Sequence, residues 1–96
     1  MKIVYVGNFQ TVSVGEPEIA STLEELGHTV YRIDEFHTDL GEIKRVIDEN
    51  RCSLLLFAKF RVGSLKERSD FLNGLKIPKV CWLFDLYWGL YNFEAL

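Results

Sequence analysis

Apolar residues gather in four strand-sized runs, Lys2–Val6, Thr29–Ile33, Leu54–Phe57 and Lys79–Phe84, which recur about every 26 residues. Each of the first three is followed by a stretch with helical periodicity. Glu16-Pro17-Glu18 opens the first helix, with proline suited to the first turn and acids to the positive end. Ile19, Leu23 and Leu26 then fall on one stripe, and Gly27 supplies a left-handed stop before the second strand. Asp39 and Glu42 make a capping pair for a helix reaching Asn50, with Leu40, Ile43 and Ile47 on its apolar side. Ser64-Leu65-Lys66-Glu67 reads as a capping box for a third helix that stops at Asn73-Gly74.

Strand, helix, strand at this spacing implies parallel strands joined by right-handed crossovers. Leu54-Leu55-Leu56-Phe57 is apolar without alternation, as a strand covered on both faces should be. The expected fold is α/β, a three-layer Rossmann-like open parallel sheet of four strands in the order 3-2-1-4. Residues 1–96 are expected to form a single domain, the first lobe of a larger two-lobed protein. In such sheets ligands bind beyond the carboxyl ends of the strands at the point where strand order reverses. Order 3-2-1-4 would bring Asn8 and Gln10 toward Asp85 and Tyr87; the alternative order 2-1-3-4 would instead favour Lys59 and Arg61.

Composition narrows the classes. The chain is 48% hydrophobic and 26% charged, with a net charge of −3, which is ordinary for a globular domain and offers no basic footprint for nucleic acid. No apolar run approaches the roughly 20 residues that span a bilayer, and a cytoplasmic location is expected. Cys52 and Cys81 lie in or beside strand runs and are expected to be buried, reduced thiols; with two distant histidines they give no metal-ligand spacing. Six of the thirteen aromatics (two Trp, four Tyr and seven Phe in all) lie between Trp82 and Phe93, an apolar tail that needs covering, by folding back or by a second copy in a homodimer.

The loop after the first strand is where phosphate-binding α/β proteins place glycines. Gly7 and Gly15 fit neither the dinucleotide fingerprint nor the P-loop, and no cofactor is expected. Gly15 before the Glu16 helix can still present backbone amides to an anion or a sugar hydroxyl. Asp34-Glu35 stands where dinucleotide folds carry a ribose-binding acid, and without the glycine fingerprint reads as a strand-end turn. Asp85 leaves a buried strand, and Tyr87 and Trp88 offer faces to a sugar ring. His28 reads as structural, and His37 lies in a polar loop with no evident partner. The candidate ligand-binding residues are therefore Gly7, Asn8, Gln10, Gly15, Glu16, Asp85 and Tyr87, with no catalytic residue assigned.

Two segments carry a resemblance. Met1-Lys2-Ile3-Val4-Tyr5-Val6-Gly7 followed by Glu18-Ile19-Ala20-Ser21-Thr22-Leu23-Glu24-Glu25-Leu26-Gly27-His28-Thr29-Val30 resembles the opening of GT-B glycosyltransferases, where a helix ends in Leu-x-x-Leu-Gly-His-x-Val. Lys79-Val80-Cys81-Trp82-Leu83-Phe84-Asp85 is similar to the acid-terminated strand of their spore-maturation-type relatives. The resemblance implies an amino-terminal, acceptor-side lobe, with the nucleotide sugar held mainly by a second lobe. Alone, this chain is expected to be inactive. Relatives carry a histidine base late in the first lobe, whereas no histidine follows His37 here. The competing reading is a non-catalytic binding or interaction module that dimerises through the aromatic tail. A receiver-like domain is disfavoured, because Gly7-Asn8 and Ala58-Lys59 occupy the places of its acids.

Overall fold

A computed structural model describes residues 1–10 and 15–81. The elements are β1 (Lys2–Gly7), α1 (Glu16–Glu25), β2 (Thr29–Asp34), α2 (Leu40–Asn50), β3 (Leu54–Phe57), α3 (Leu65–Gly74) and β4 (Lys79–Cys81). The four strands form one all-parallel sheet, so the α/β class and the open parallel architecture are as the periodicity predicts. Positions 82–84 of the predicted fourth strand, the aromatic tail, Asp85 and Tyr87 lie outside the described residues.

The strand order is 2-1-3-4, not the expected 3-2-1-4. Strand composition supplies the reason. β1 is buried from Ile3 to Gly7 and pairs on both sides, Val6 facing Ile33 of β2 and Phe57 of β3. Order 3-2-1-4 would have put Leu54-Leu55-Leu56-Phe57 at an open edge and buried Arg32 in mid-sheet. The observed order does the reverse: the apolar β3 is interior, and β2, which carries Arg32, is an edge. Arg32 turns toward α1, where it donates to Glu24 and to Ser21 Oγ.

Right-handed crossovers in this order place α1 on one face and α2 and α3 on the other. Ile3, Tyr5 and Leu56 pack under Ala20, Ile19 and Leu23 of α1. Val4, Val6 and Leu55 pack under Ile43 and Ile47 of α2, with Phe71 and Leu72 of α3 beside them. Leu26 does not join the stripe as expected: it is the C-cap residue past the last turn and is 70% exposed, while Ala20 is buried in its stead. Gly27 takes φ 98°, and Gly27 N–H to Glu24 O with His28 N–H to Leu23 O closes the helix as a Schellman stop.

The two predicted caps are in place. Asp39 accepts from Glu42 N–H at 2.8 Å, and Ser64 and Glu67 exchange reciprocal bonds at 3.2 and 3.1 Å. α3 differs from expectation at its end, where Gly74 has no positive φ and the chain turns off through an extended Leu75. Cys52 is buried, but Cys81 is exposed, against the expectation of two buried thiols; both are free. Among the described residues no helix is long and apolar enough to cross a membrane.

Candidate functional site

The carboxyl ends of β1, β2 and β3 open onto one rim, and β1, between the other two, sets what lies at its centre. Gly7 ends β1, and Glu16, the first residue of α1, folds its side chain back against it. Glu16 is 4% exposed, the one buried charged side chain among the described residues. Its carboxylate accepts from Tyr5 Oη at 3.3 Å and from Asn8 N–H. A Cβ on Gly7 would stand 2.6 Å from both carboxylate oxygens, so only glycine leaves room for this seat. Burial pushes the Glu16 pKa up, the Asn8 and Tyr5 hydrogen bonds pull it down, and the charge of Asp34 adds to the rise. The Tyr5 hydroxyl is in turn held well above its usual range, by burial first and the Glu16 charge second.

Asn8 closes a small turn by accepting from Gln10 N–H at 3.2 Å. The Gln10 side-chain amide reaches His37 Nδ1 at 3.0 Å, tying the exit of β1 to the loop after β2. Gly15 is the N-cap of α1 at φ 81°, with no side chain capping the helix. Five of the seven sequence candidates, Gly7, Asn8, Gln10, Gly15 and Glu16, therefore sit on one rim; Asp85 and Tyr87 are outside the described residues.

Four residues not among the candidates complete the rim. Tyr5 bonds Glu16 from inside the sheet. Asp34 lies opposite Gly7 in the β1–β2 register, and Glu35 N–H donates to Gly7 O at 2.9 Å. The Glu35 carboxyl has one oxygen buried without a hydrogen-bond partner among the described residues. Its pKa is raised, chiefly by burial; the Arg61 charge opposes this most, and Lys59 also lowers it. His37, expected to have no partner, bonds Asp34 Oδ2 at 3.3 Å as well as Gln10. The signal available in the sequence was Asp34-x-x-His37, a three-residue separation that a tight turn at a strand exit closes into contact.

Lys59 and Arg61 leave β3 on the other side of β1. Phe60 and Val62 point inward between and beyond them, so the two cations face outward by alternation. The rim is thus bipolar: carboxylates over β1 and β2, cations over β3. Among the described residues no group of three or more His, Cys, Asp or Glu is placed to hold a metal ion.

Comparison with known protein families, with curated proteins and with solved structures gives no match.

Proposed function

We propose that this chain is the acceptor-side domain of a glycosyltransferase. It would bind a neutral, hydroxyl-rich acceptor over the exits of β1 and β2, while a second lobe or partner holds the nucleotide sugar. The observation that carries the reading is the seat of Glu16. In phosphate-binding α/β folds the amides at the start of the first helix receive the phosphate. Here the Glu16 carboxylate occupies that ground behind Gly7, with Asp34 and Glu35 adding negative charge, so a diphosphate meets repulsion. Sugar hydroxyls suit the same surface, because carboxylates accept from O–H and the Gln10 amide both donates and accepts. Phe9, edge-on to Tyr5 at 5.0 Å between ring centres, adds an apolar surface at the mouth. Sugar transfer needs donor and acceptor held in register and water kept out, which a two-lobed cleft provides.

Backbone NMR titration tests this. Methyl α-D-glucoside should move the amide signals of Gly7 to Gln10 and Asp34 to His37, saturating in the range of about 1–10 mM. Uridine diphosphate should leave them unmoved. Uridine diphosphate shifts centred on Gly15 and Glu16, or on Lys59 and Arg61, would put the donor on this domain and overturn the reading.

A further inference from the structure

The contact between Asp34 and His37 has a chemical consequence. Asp34 ends β2, and the chain turns back over it: His37 N–H donates to Asp34 O at 3.1 Å. One carboxylate oxygen, Oδ1, is committed to this turn by accepting from Phe36 N–H at 3.0 Å. The other, Oδ2, lies 3.3 Å from His37 Nδ1. The Asp34 side chain is only 17% exposed and stands on paired sheet backbone, so it is the fixed member; His37 is 63% exposed.

A carboxylate only accepts, so in the neutral imidazole the proton must sit on Nδ1. The Gln10 amide, 3.0 Å from the same nitrogen, adds a second acceptor when its oxygen faces the ring. Nε2 then carries its lone pair outward, with no hydrogen bond among the described residues. His28 provides the opposite case. Its Nδ1 lies 3.0 Å from the Met1 ammonium, which only donates, so its proton belongs on Nε2. The chain's two histidines are held in opposite tautomers.

We propose that His37 Nε2 is the proton acceptor for a hydroxyl of the molecule bound at this rim, with Asp34 as its positioning residue. The substrate class rests on the acceptor-side reading above. In a direct displacement the hydroxyl proton passes to Nε2, and the resulting imidazolium stays paired with the Asp34 carboxylate. The freed oxygen pair forms the bond to the anomeric carbon of a nucleotide sugar held outside this domain. The bond from that carbon to the diphosphate oxygen breaks, its electrons leave on the diphosphate, and His37 then releases the proton to solvent.

Long-range proton–nitrogen NMR at about pH 8.5, above the ordinary imidazole range, reads the tautomers directly in the full chain. His37 should show the Nδ1–H form and His28 the Nε2–H form. Asp34→Asn keeps the oxygen that Phe36 uses and puts an NH2 where Oδ2 was, so His37 should switch to Nε2–H. Carbethoxylation of His37 by diethyl pyrocarbonate should then slow on the order of tenfold or more, with His28 unchanged. Methyl α-D-glucoside should shift the wild-type Nε2 resonance and protect His37 from the reagent. An Nε2–H tautomer in the wild type, or one that Asp34→Asn leaves unchanged, overturns the proposal. Glucoside shifts at Asn8 and Gln10 without protection of His37 overturn the base role and leave the acceptor reading standing. No glucoside effect anywhere removes the acceptor reading, and the base with it, whatever the tautomer.

Discussion

Glu16 opposes the usual economy of a core, since an ionisable side chain at 4% exposure meets only neutral donors, Tyr5 Oη and Asn8 N–H. Its folded pKa is raised above the ordinary value of 4.5. Between those two values the folded state holds more protons than the unfolded chain, so unfolding free energy falls as pH rises. This contribution is complete below the ordinary value and is lost as pH climbs through the raised one. Glu16→Gln should flatten that decline in urea melts taken across the window, leaving a residual slope from Glu35, which is shifted the same way. Glutamine can still accept from Asn8 and donate to Tyr5, so the fold should tolerate it. Glu16→Ala strands both donors and should cost about 1–3 kcal/mol. Gly7→Ala should act through the same seat by expelling the carboxylate, so the Gly7→Ala, Glu16→Ala double variant should fall well short of the sum. Additive losses would show that Glu16 is not held where it is described. The sequence shows an acid at a helix start, where it would ordinarily face solvent; its inward turn depends on the missing Cβ of Gly7, a contact between separate elements.

At the scale of elements, the helix starts were legible and the stops less so. Capping boxes are local chemistry written in four consecutive residues, and both Asp39 and Ser64 cap as their spacing implies. Stops depend on where the chain must go next. α2 ends on Arg51 at φ 53°, ψ 49°, the one non-glycine residue with positive φ among the described residues, and Cys52 N–H bonds back to Ile47 O at 3.0 Å. No glycine marked this site, because the return into β3 imposes the left-handed turn on whatever residue is there. A side chain pays for that conformation in steric strain. Arg51 is exposed, so glycine should relieve the strain with no packing lost. Arg51→Gly should stabilise the domain by about 0.5–1 kcal/mol after the entropy glycine gains in the unfolded chain. A higher urea midpoint at unchanged m-value is the expected readout, and a lower one would refute the strain.

For the whole molecule, the parallel sheet followed from the rhythm of apolar runs, but strand order did not, because periodicity says which segments pair and not which lie side by side. The deciding information was present in the contrast between Arg32 in β2 and the uninterrupted β3. Strand order in turn governs the site: with β1 between β2 and β3, the carboxylate side and the Lys59–Arg61 side flank a single loop. Order also bears on the cysteines. Adjacent β3 and β4 bring their strands together, yet the register pairs Phe57 with Cys81, while Cys52 precedes the start of β3. The thiols lie at opposite ends of the strand pair, roughly 15 Å apart at about 3.3 Å per residue, beyond the reach of a disulfide. Oxidation by diamide should therefore give no intramolecular bond in the native protein. Cys81, exposed and donating to Ala58 O at 3.3 Å, should react first with a thiol reagent at mildly alkaline pH. Cys52 sits in the α2–α3 core, and burial raises its pKa. It should label only as fast as the domain unfolds, so its rate should climb with urea while that of Cys81 stays level. Rapid native cross-linking of the two would be incompatible with this register, and with β1, β3 and β4 opening onto a common rim.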